Sequence, residues 1–270
     1  MAIKINGKDL AKRIINGQEV QKVMLNWAEI RPNEVPPVDD YLCFTANEPN
    51  CTIQLSWIFY QPRNVVQLET SYDKVHWTDY TLQSIITLAN VWDKVYWRNK
   101  SETPVPFSYS DMEFYNFNLP QSCYASWDVT YLLCKTWTTI VWDYDFYSLF
   151  WMVDFNSKLI TPPRLPATTL WDFCYLGMFM DCRELEALPE LPATTLSSMC
   201  YRYMFRACPK IKLSTTQTWE YQTPYRIPIA WTWVDAGGDA TFGMFTGTLG
   251  TFTGTPTINQ TYYTSNTIIS

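Results

Sequence analysis

The chain has one histidine, His76, in Asp-Lys-Val-His-Trp, so any Ser-His-Asp or Cys-His nucleophile system would have to be built on it. No partner for it is evident in the sequence, and a surface or packing role is expected. Asp143 and Asp145 could act with Glu184, Glu186 or Glu190 as the two carboxylates of a glycosidase. Acidic side chains are too common for their presence alone to define such a pair. Asp39-Asp40 is a weak cation candidate and reads better as part of a solvated linker. Neither a Gly-x-x-x-x-Gly-Lys-Ser/Thr run nor a Gly-x-Gly-x-x-Gly run occurs, and Gly237-Gly238 reads as a turn rather than a phosphate cradle. The sequence therefore predicts a protein that is not an enzyme, with no catalytic, cofactor-binding or metal residues and no cofactor.

The chemistry above background is aromatic. Thirteen Trp and eighteen Tyr in 270 residues are enough to fill cores and still leave rings at the surface. Exposed Trp and Tyr stack on sugar faces and anchor protein interfaces. Trp137, Trp142, Tyr144 and Trp151 crowd a stretch with few charges. Trp171 occupies a position that is Ser197 in the next repeat, so that position tolerates a polar residue and is expected to be exposed. These five are the candidate ligand or interface residues. Their partner could be a glycan, a protein or a second copy of the chain.

A tandem repeat must position them. Leu165-Pro-Ala-Thr-Thr-Leu170 returns as Leu191-Pro-Ala-Thr-Thr-Leu196, a 26-residue period. In register, Cys174, Tyr175, Met178, Phe179 and Cys182 return as Cys200, Tyr201, Met204, Phe205 and Cys208, the predicted repeat core. Leu159, Leu185 and Ile211 extend the spacing. A fixed period of this length means stacked units, each burying its apolar face on the next. In each unit Leu-Pro-Ala-Thr-Thr-Leu predicts an extended edge. Asp172, or Ser197 or Ser198, stands where a helix N-cap belongs. The apolar positions i, i+1, i+4, i+5 and i+8 then predict a helical stripe. The repeat cysteines read as small core residues, with neighbour-to-neighbour disulfides as the alternative; no Cys-x-x-Cys suggests zinc.

Residues 1–35 read as a β element, with Asn6-Gly7 and Asn16-Gly17 as turns; residues 8–15 fit a helix or a strand equally. Pro32 to Asp40 reads as a linker. Residues 41–105 read as an Ig-like antiparallel β-sandwich: Tyr41–Phe44, Thr52–Leu55, Val65–Thr70, Trp77–Tyr80, Ser84–Leu88 and Val95–Trp97 are short β-type runs between turns. Asp73 should sit in a hairpin turn, and Trp77 and Tyr80 in the core. Residues 106–213 are assigned to an α/β solenoid with an irregular first unit, and one more strand is expected around Tyr109–Phe117. Residues 214–270, where Gly243-Met-Phe245 echoes Gly177-Met-Phe179, are assigned to a degenerate capping region. The class is thus mixed and β-rich.

Net charge is −6 and no basic cluster is denser than Lys8–Arg13, which argues against a nucleic-acid partner. No 18-residue apolar run predicts a membrane span. The first residues lack a secretory apolar core, which predicts folding in a cytoplasm with reduced cysteines.

The tandem LPATTL…CYxxMFxxC pattern resembles the BspA-type leucine-rich-repeat surface proteins. The LPATTL variety is similar to tail-fibre-like or other virion-associated proteins of gut phages and prophages. IKINGKDL…IINGQEVQKVMLN and VQLETSYDKVHWTDYT look like a leader and a module found with these repeats. The resemblance implies a non-enzymatic recognition or attachment protein of a virion, assembled in the host cytoplasm. Its partners would be a host-surface glycan or protein, other virion proteins and further copies of itself as a homo-oligomer. A bacterial cell-surface adhesin and an assembly protein whose aromatic patch is a subunit interface are the alternatives; a glycan-degrading enzyme is a more distant one. Such repeats usually carry Gly or Asn before the second Cys, where this chain has Asp181 and Ala207, and Asn156 replaces a Cys in the earliest unit. Trp27 and Trp92 likewise stand in turns where Gly is expected.

Overall fold

The computed structural model describes residues 4–5, 8–9, 14–15 and 18–19, and then 41–270 except 58, 64, 155–156 and 231–238. The expected turns at Asn6-Gly7, Asn16-Gly17 and Gly237-Gly238, the linker up to Asp40, and Trp27 and Asn156 lie outside the described residues. The chain divides into two compact units, Met1–Val38 and Asp39–Ser270.

In the first unit β1 (Lys4–Ile5) pairs antiparallel with β2 (Lys8–Asp9), and β3 (Ile14–Ile15) with β4 (Gln18–Glu19). Two pieces of the ambiguous 8–15 stretch are therefore strands.

The second unit begins as two packed sheets. Its strands are β5 (Leu42–Ala46), β6 (Cys51–Trp57), β7 (Leu68–Ser71), β8 (Thr78–Asp79), β9 (Ile86–Leu88), β10 (Lys94–Asn99), β11 (Tyr115–Asn118), β12 (Cys123–Ser126), β13 (Ile140–Val141) and β14 (Leu159–Thr161). One sheet has the order β14-β12-β5-β10-β7-β8 and the other β11-β6-β9. The alternation of β6 shows why: Cys51, Ile53 and Leu55 are buried while Thr52, Gln54 and Ser56 are half-buried on the other face. Between the sheets Phe44 meets Phe117 at 4.8 Å and Trp97 meets Phe117 at 5.2 Å. The Tyr80 hydroxyl accepts from Leu55 N and donates to the Ser84 carbonyl, which ties β6 to the turn before β9. The turn around Asp73 forms as the sequence suggests: its carboxylate accepts the N–H groups of Val75 and His76. Trp77 departs from expectation. It leaves the core and lies on the outer face over the Arg98 guanidinium, 3.8 Å away. β11 and β12 pair with β6 and β5, so both sheets run past the boundary expected at residue 105.

Short parallel strands then mark successive coils. β13 pairs with β15 (Thr169–Leu170). After β16 (Ala187–Pro189) comes β17 (Thr195–Leu196), and after β18 (Lys212–Ser214) and β19 (Thr223–Arg226) comes β20 (Ile229–Ala230), the parallel partner of β17. The Leu-Pro-Ala-Thr-Thr-Leu segments thus do form extended edges. β21 (Leu249–Gly250), β22 (Thr261–Thr264) and β23 (Thr267–Ile269) close the chain, with β18 between β22 and β21 and β23 beside β16.

The helical stripe expected after each edge is not a helix. Residues Phe173, Gly177 and Asp181 are left-handed, at φ of 59° to 62°, as are Met199, Tyr203 and Ala207. A left-handed residue at every fourth position cannot belong to an α-helix. The segment is instead a ribbon of consecutive turns. Within it Leu176 N–H bonds the Phe173 carbonyl, Met178 that of Tyr175, and Met180 that of Gly177. The alternate N–H groups, of Tyr175, Gly177, Phe179 and Asp181, bond carbonyls of the next coil at Cys200, Arg202, Met204 and Arg206. Apolar positions at i, i+1, i+4, i+5 and i+8 fit a period of four as well as 3.6, and backbone bonding between coils selects four. Asp172, expected as an N-cap, serves the same ladder: its N–H donates to Asp143 Oδ1 and its own Oδ1 accepts from Ser198 N.

The pattern runs through four ribbons, at 142–151, 171–182, 197–208 and 239–248. Each inward position stacks on its equivalent: Phe150 on Phe179 at 5.3 Å, Phe179 on Phe205 at 5.5 Å and Phe205 on Phe245 at 5.5 Å. A second column runs Phe146, Tyr175, Tyr201 at 5.7 and 5.9 Å. Cys174, Met178, Cys182, Cys200, Met204 and Cys208 are fully buried beside these rings. All eight cysteines are free thiols. Phe150 also stacks on Phe117 at 5.8 Å, so the sandwich core and the coil core are continuous.

Candidate functional site

The outward positions of the ribbons carry a run of aromatic and aliphatic side chains outside the core. On the first two ribbons Tyr144 stacks on Phe173 with 4.6 Å between centroids and 6° between planes, and Tyr144 lies 5.9 Å from Tyr147. Tyr147 packs on Phe114 at 4.9 Å, and Phe114 carries Phe59, which is 53% exposed. Leu176, Met180 and Met199, all half-buried, continue the face. At its far end Tyr203 meets Phe242 at 5.7 Å. The Arg202 guanidinium lies 4.9 and 4.8 Å from those two rings and is held by Asp239 at 2.6 Å. The Arg206 guanidinium also lies 5.1 Å from the Tyr203 ring.

Gly243 shows how closely this face is fitted. Its φ is +62°, and a Cβ there would come within 2.6 Å of the Tyr203 ring. The echo of Gly177 by Gly243 therefore reflects room for a ring as well as backbone geometry. Asp181 and Ala207, standing where Gly or Asn is usual, do adopt left-handed φ of 60° and 57°. Trp92 does so too, at 72°, and its ring lies parallel to Tyr124 at 5.9 Å, 64% exposed.

Of the five aromatic candidates, Tyr144 is part of the ribbon face. Trp151 ends the first ribbon beside Asp181, whose carboxyl burial pushes above the usual range. Trp142 and Trp171 hold equivalent places where strand turns into ribbon, half-buried and 49% exposed respectively. Trp137 lies half-buried in the loop ahead of β13, apart from the stacks. Sequence reasoning missed Phe173, Arg202, Tyr203 and Phe242. A period of four would have found them.

The carboxylates do not meet across a groove. Asp145 is fully buried, accepting from Phe107 N and Trp142 N at 2.8 Å each, and burial raises its pKa to about 7. It takes the inward position that Cys174 and Cys200 take in later coils. Glu184 and Glu186 both pair with Lys210. His76, unpartnered as far as the sequence could tell, lies 2.7 Å from Asp73, which raises the imidazole pKa and depresses that of the carboxylate. Both groups are exposed, and their bond serves the turn.

Among the described residues no cluster of three His, Cys, Asp or Glu could hold a metal ion, and no helix is long and apolar enough to cross a membrane. No family model matches the chain, and neither a curated protein nor a solved structure matches it significantly.

Proposed function

We propose that this chain is a non-enzymatic recognition or attachment protein that holds a host-surface ligand, a glycan or a protein, against the outward face of its turn ribbons. The observation that carries the reading is the row from Tyr144 and Phe173 to Arg202, Tyr203 and Phe242. Rings already fixed by stacking lose little conformational freedom on binding. Arg202 and Arg206 add donors at one end. The LPATTL repeat, with its resemblance to virion-associated proteins, supports placement on a phage-type particle. There many copies would multiply a weak contact.

The aliphatic residues Leu176, Met180 and Met199 in mid-face favour a second reading, in which the face is a subunit interface. Light scattering with and without a panel of envelope polysaccharides separates the two. Recognition predicts a monomer that binds a polysaccharide and loses at least about tenfold in affinity on Tyr203→Ser or Trp171→Ala. A stable oligomer that ignores every polysaccharide, and that Tyr203→Ser splits into monomers, would replace recognition with assembly.

A further inference from the structure

A second aromatic surface lies on the outer side of the six-stranded sheet. On β12 Cys123 and Ala125 join the core while Tyr124 and Ser126 face out; on β10 Val95 and Trp97 join the core while Lys94 and Tyr96 face out. Register lines up Tyr124, Thr45 and Lys94 in one row across β12, β5 and β10, and Ser126, Cys43 and Tyr96 in the next. Two tryptophans with left-handed backbones border these rows. Trp92, at φ 72°, sits in the turn that Asp93 N–H closes on the Asn90 carbonyl, with its ring parallel to that of Tyr124 and 64% exposed. Trp127, at φ 65°, directly follows β12. Strand alternation past Ser126 would send its side chain inward, but the left-handed residue breaks the alternation and leaves the ring 41% exposed. Its backbone lies roughly 10 Å along the chain from that of Tyr124.

Positive φ is an outlier for so bulky a side chain, and glycine would relieve both positions. Strain of this kind gathers where a side chain meets a ligand. The charges beside the two indoles are cationic, in a chain whose net charge is −6. Lys94 is exposed in the Tyr124 row. Lys74 Nζ lies 4.9 Å from the Tyr96 ring and 5.9 Å from that of Trp127. Burial pushes the Cys43 thiol above its usual range, and hydrogen bonds with Thr45 and Ser126 and the charges of Lys94 and Lys74 work against it, so both ammonium groups act on one spot of the sheet face. The acids next to these residues in sequence are held by protein donors: Asp73 by Val75 and His76, Asp93 by Asn90, and Asp128 by Thr130.

We propose that this sheet face binds an acidic polysaccharide, with sugar rings resting on Trp92 and Trp127 and uronate carboxylates meeting Lys94 and Lys74. An exposed indole offers a flat apolar face to the C–H side of a pyranose, and the lysines supply the opposite charge. A neutral glycan would leave the cations unanswered, and a polyanion without rings would leave the indoles bare. The site is separate from the ribbon face and does not rest on the reading given for it.

The test is calorimetric titration of the full chain at low salt with polygalacturonate, alginate, dextran and poly-L-glutamate. At least one of the two uronate polymers should bind, more weakly as salt rises, and dextran and polyglutamate should bind about tenfold less tightly or worse. Trp92→Gly and Trp127→Gly should each weaken uronate binding about tenfold or more. Glycine suits both backbones, so the melting temperature of these variants should hold or rise, and lost binding is then not lost folding. Should either variant melt earlier, Lys94→Gln at an exposed position makes the same comparison. Tyr203→Ser should leave the titration unaltered, which keeps failure of this site distinct from failure of the ribbon face. Silence to both uronate polymers overturns the proposal. Polyglutamate bound as tightly would reduce the face to charge alone, and dextran bound as tightly would remove the charge; either result overturns it as well. So does uronate binding that ignores the variants at 92, 127 and 94, or that Tyr203→Ser abolishes.

Discussion

The sandwich and the ribbon stack satisfy the same backbone groups in different ways. In the sandwich the strands pair antiparallel, as β10 does with β5 and β7, except at the edge, where β14 joins β12 in parallel. In the stack alternate N–H groups close turns within a coil and the others reach the next coil. A strand pair buries one face against the opposite sheet. A ribbon has no stable form by itself, because half its donors point at a neighbour. Damage should therefore stay local in the sandwich and spread in the stack.

The largest test of that contrast is Phe179→Ala, which removes a fully buried ring stacked on two others. It should cost about 3–5 kcal/mol by denaturant unfolding. Hydrogen exchange should quicken in the ribbons on both sides, at 144–150 and 201–207. Quickening confined to residues 173–182 would mean that each coil stands alone.

Asp145 sharpens the comparison within the stack, since it sits where later coils have cysteine. Burial holds its folded pKa at about 7, against about 4 for an ordinary aspartate, so the folded state keeps an extra proton between those values. Its contribution to stability is fully present below about pH 4 and is lost as pH rises through 7, by at most about 4 kcal/mol. Asp145→Asn should flatten the stability profile across that window. An unaltered slope would place the proton elsewhere.

A smaller pair of effects tests the left-handed positions. Gly243→Ala meets both positive φ and the Tyr203 ring, and should cost about 2–3 kcal/mol. Ala207→Gly relieves the same backbone strain at φ 57° and should stabilise by about 0.5–1 kcal/mol. Thermal unfolding of both variants measures this. Equal signs would show that the ribbon does not strain its non-glycine residues.

Much of the sandwich was legible because a period of two, broken by turns, has one structural meaning. The six expected runs each overlap one of β5 to β10, and Asp73 caps its turn through its own carboxylate. The repeat columns were legible for the same reason: Tyr175 and Tyr201, like Phe179 and Phe205, recur because they touch. The backbone between them was not. The left-handed residues of the second and third ribbons include only one glycine, Gly177, so the usual marker of positive φ is missing at Phe173, Tyr203 and Ala207. Trp77 looked like a core residue because nothing local shows that Arg98, a strand away, would take its face. The pairing of β11 with β6 spans some sixty residues, and no short motif announces it.

The ring column has a mechanical meaning. From Trp97 through Phe117, Phe150, Phe179, Phe205, Phe245 and Phe252 to Tyr262, no step exceeds 6.4 Å, so there is no slack plane at which the Asp39–Ser270 unit could fold over. Five parallel backbone bonds join the 173–181 ribbon to the one after it. Tension drawn along the stack would strain those five together rather than one after another. Such a stack yields abruptly rather than coil by coil.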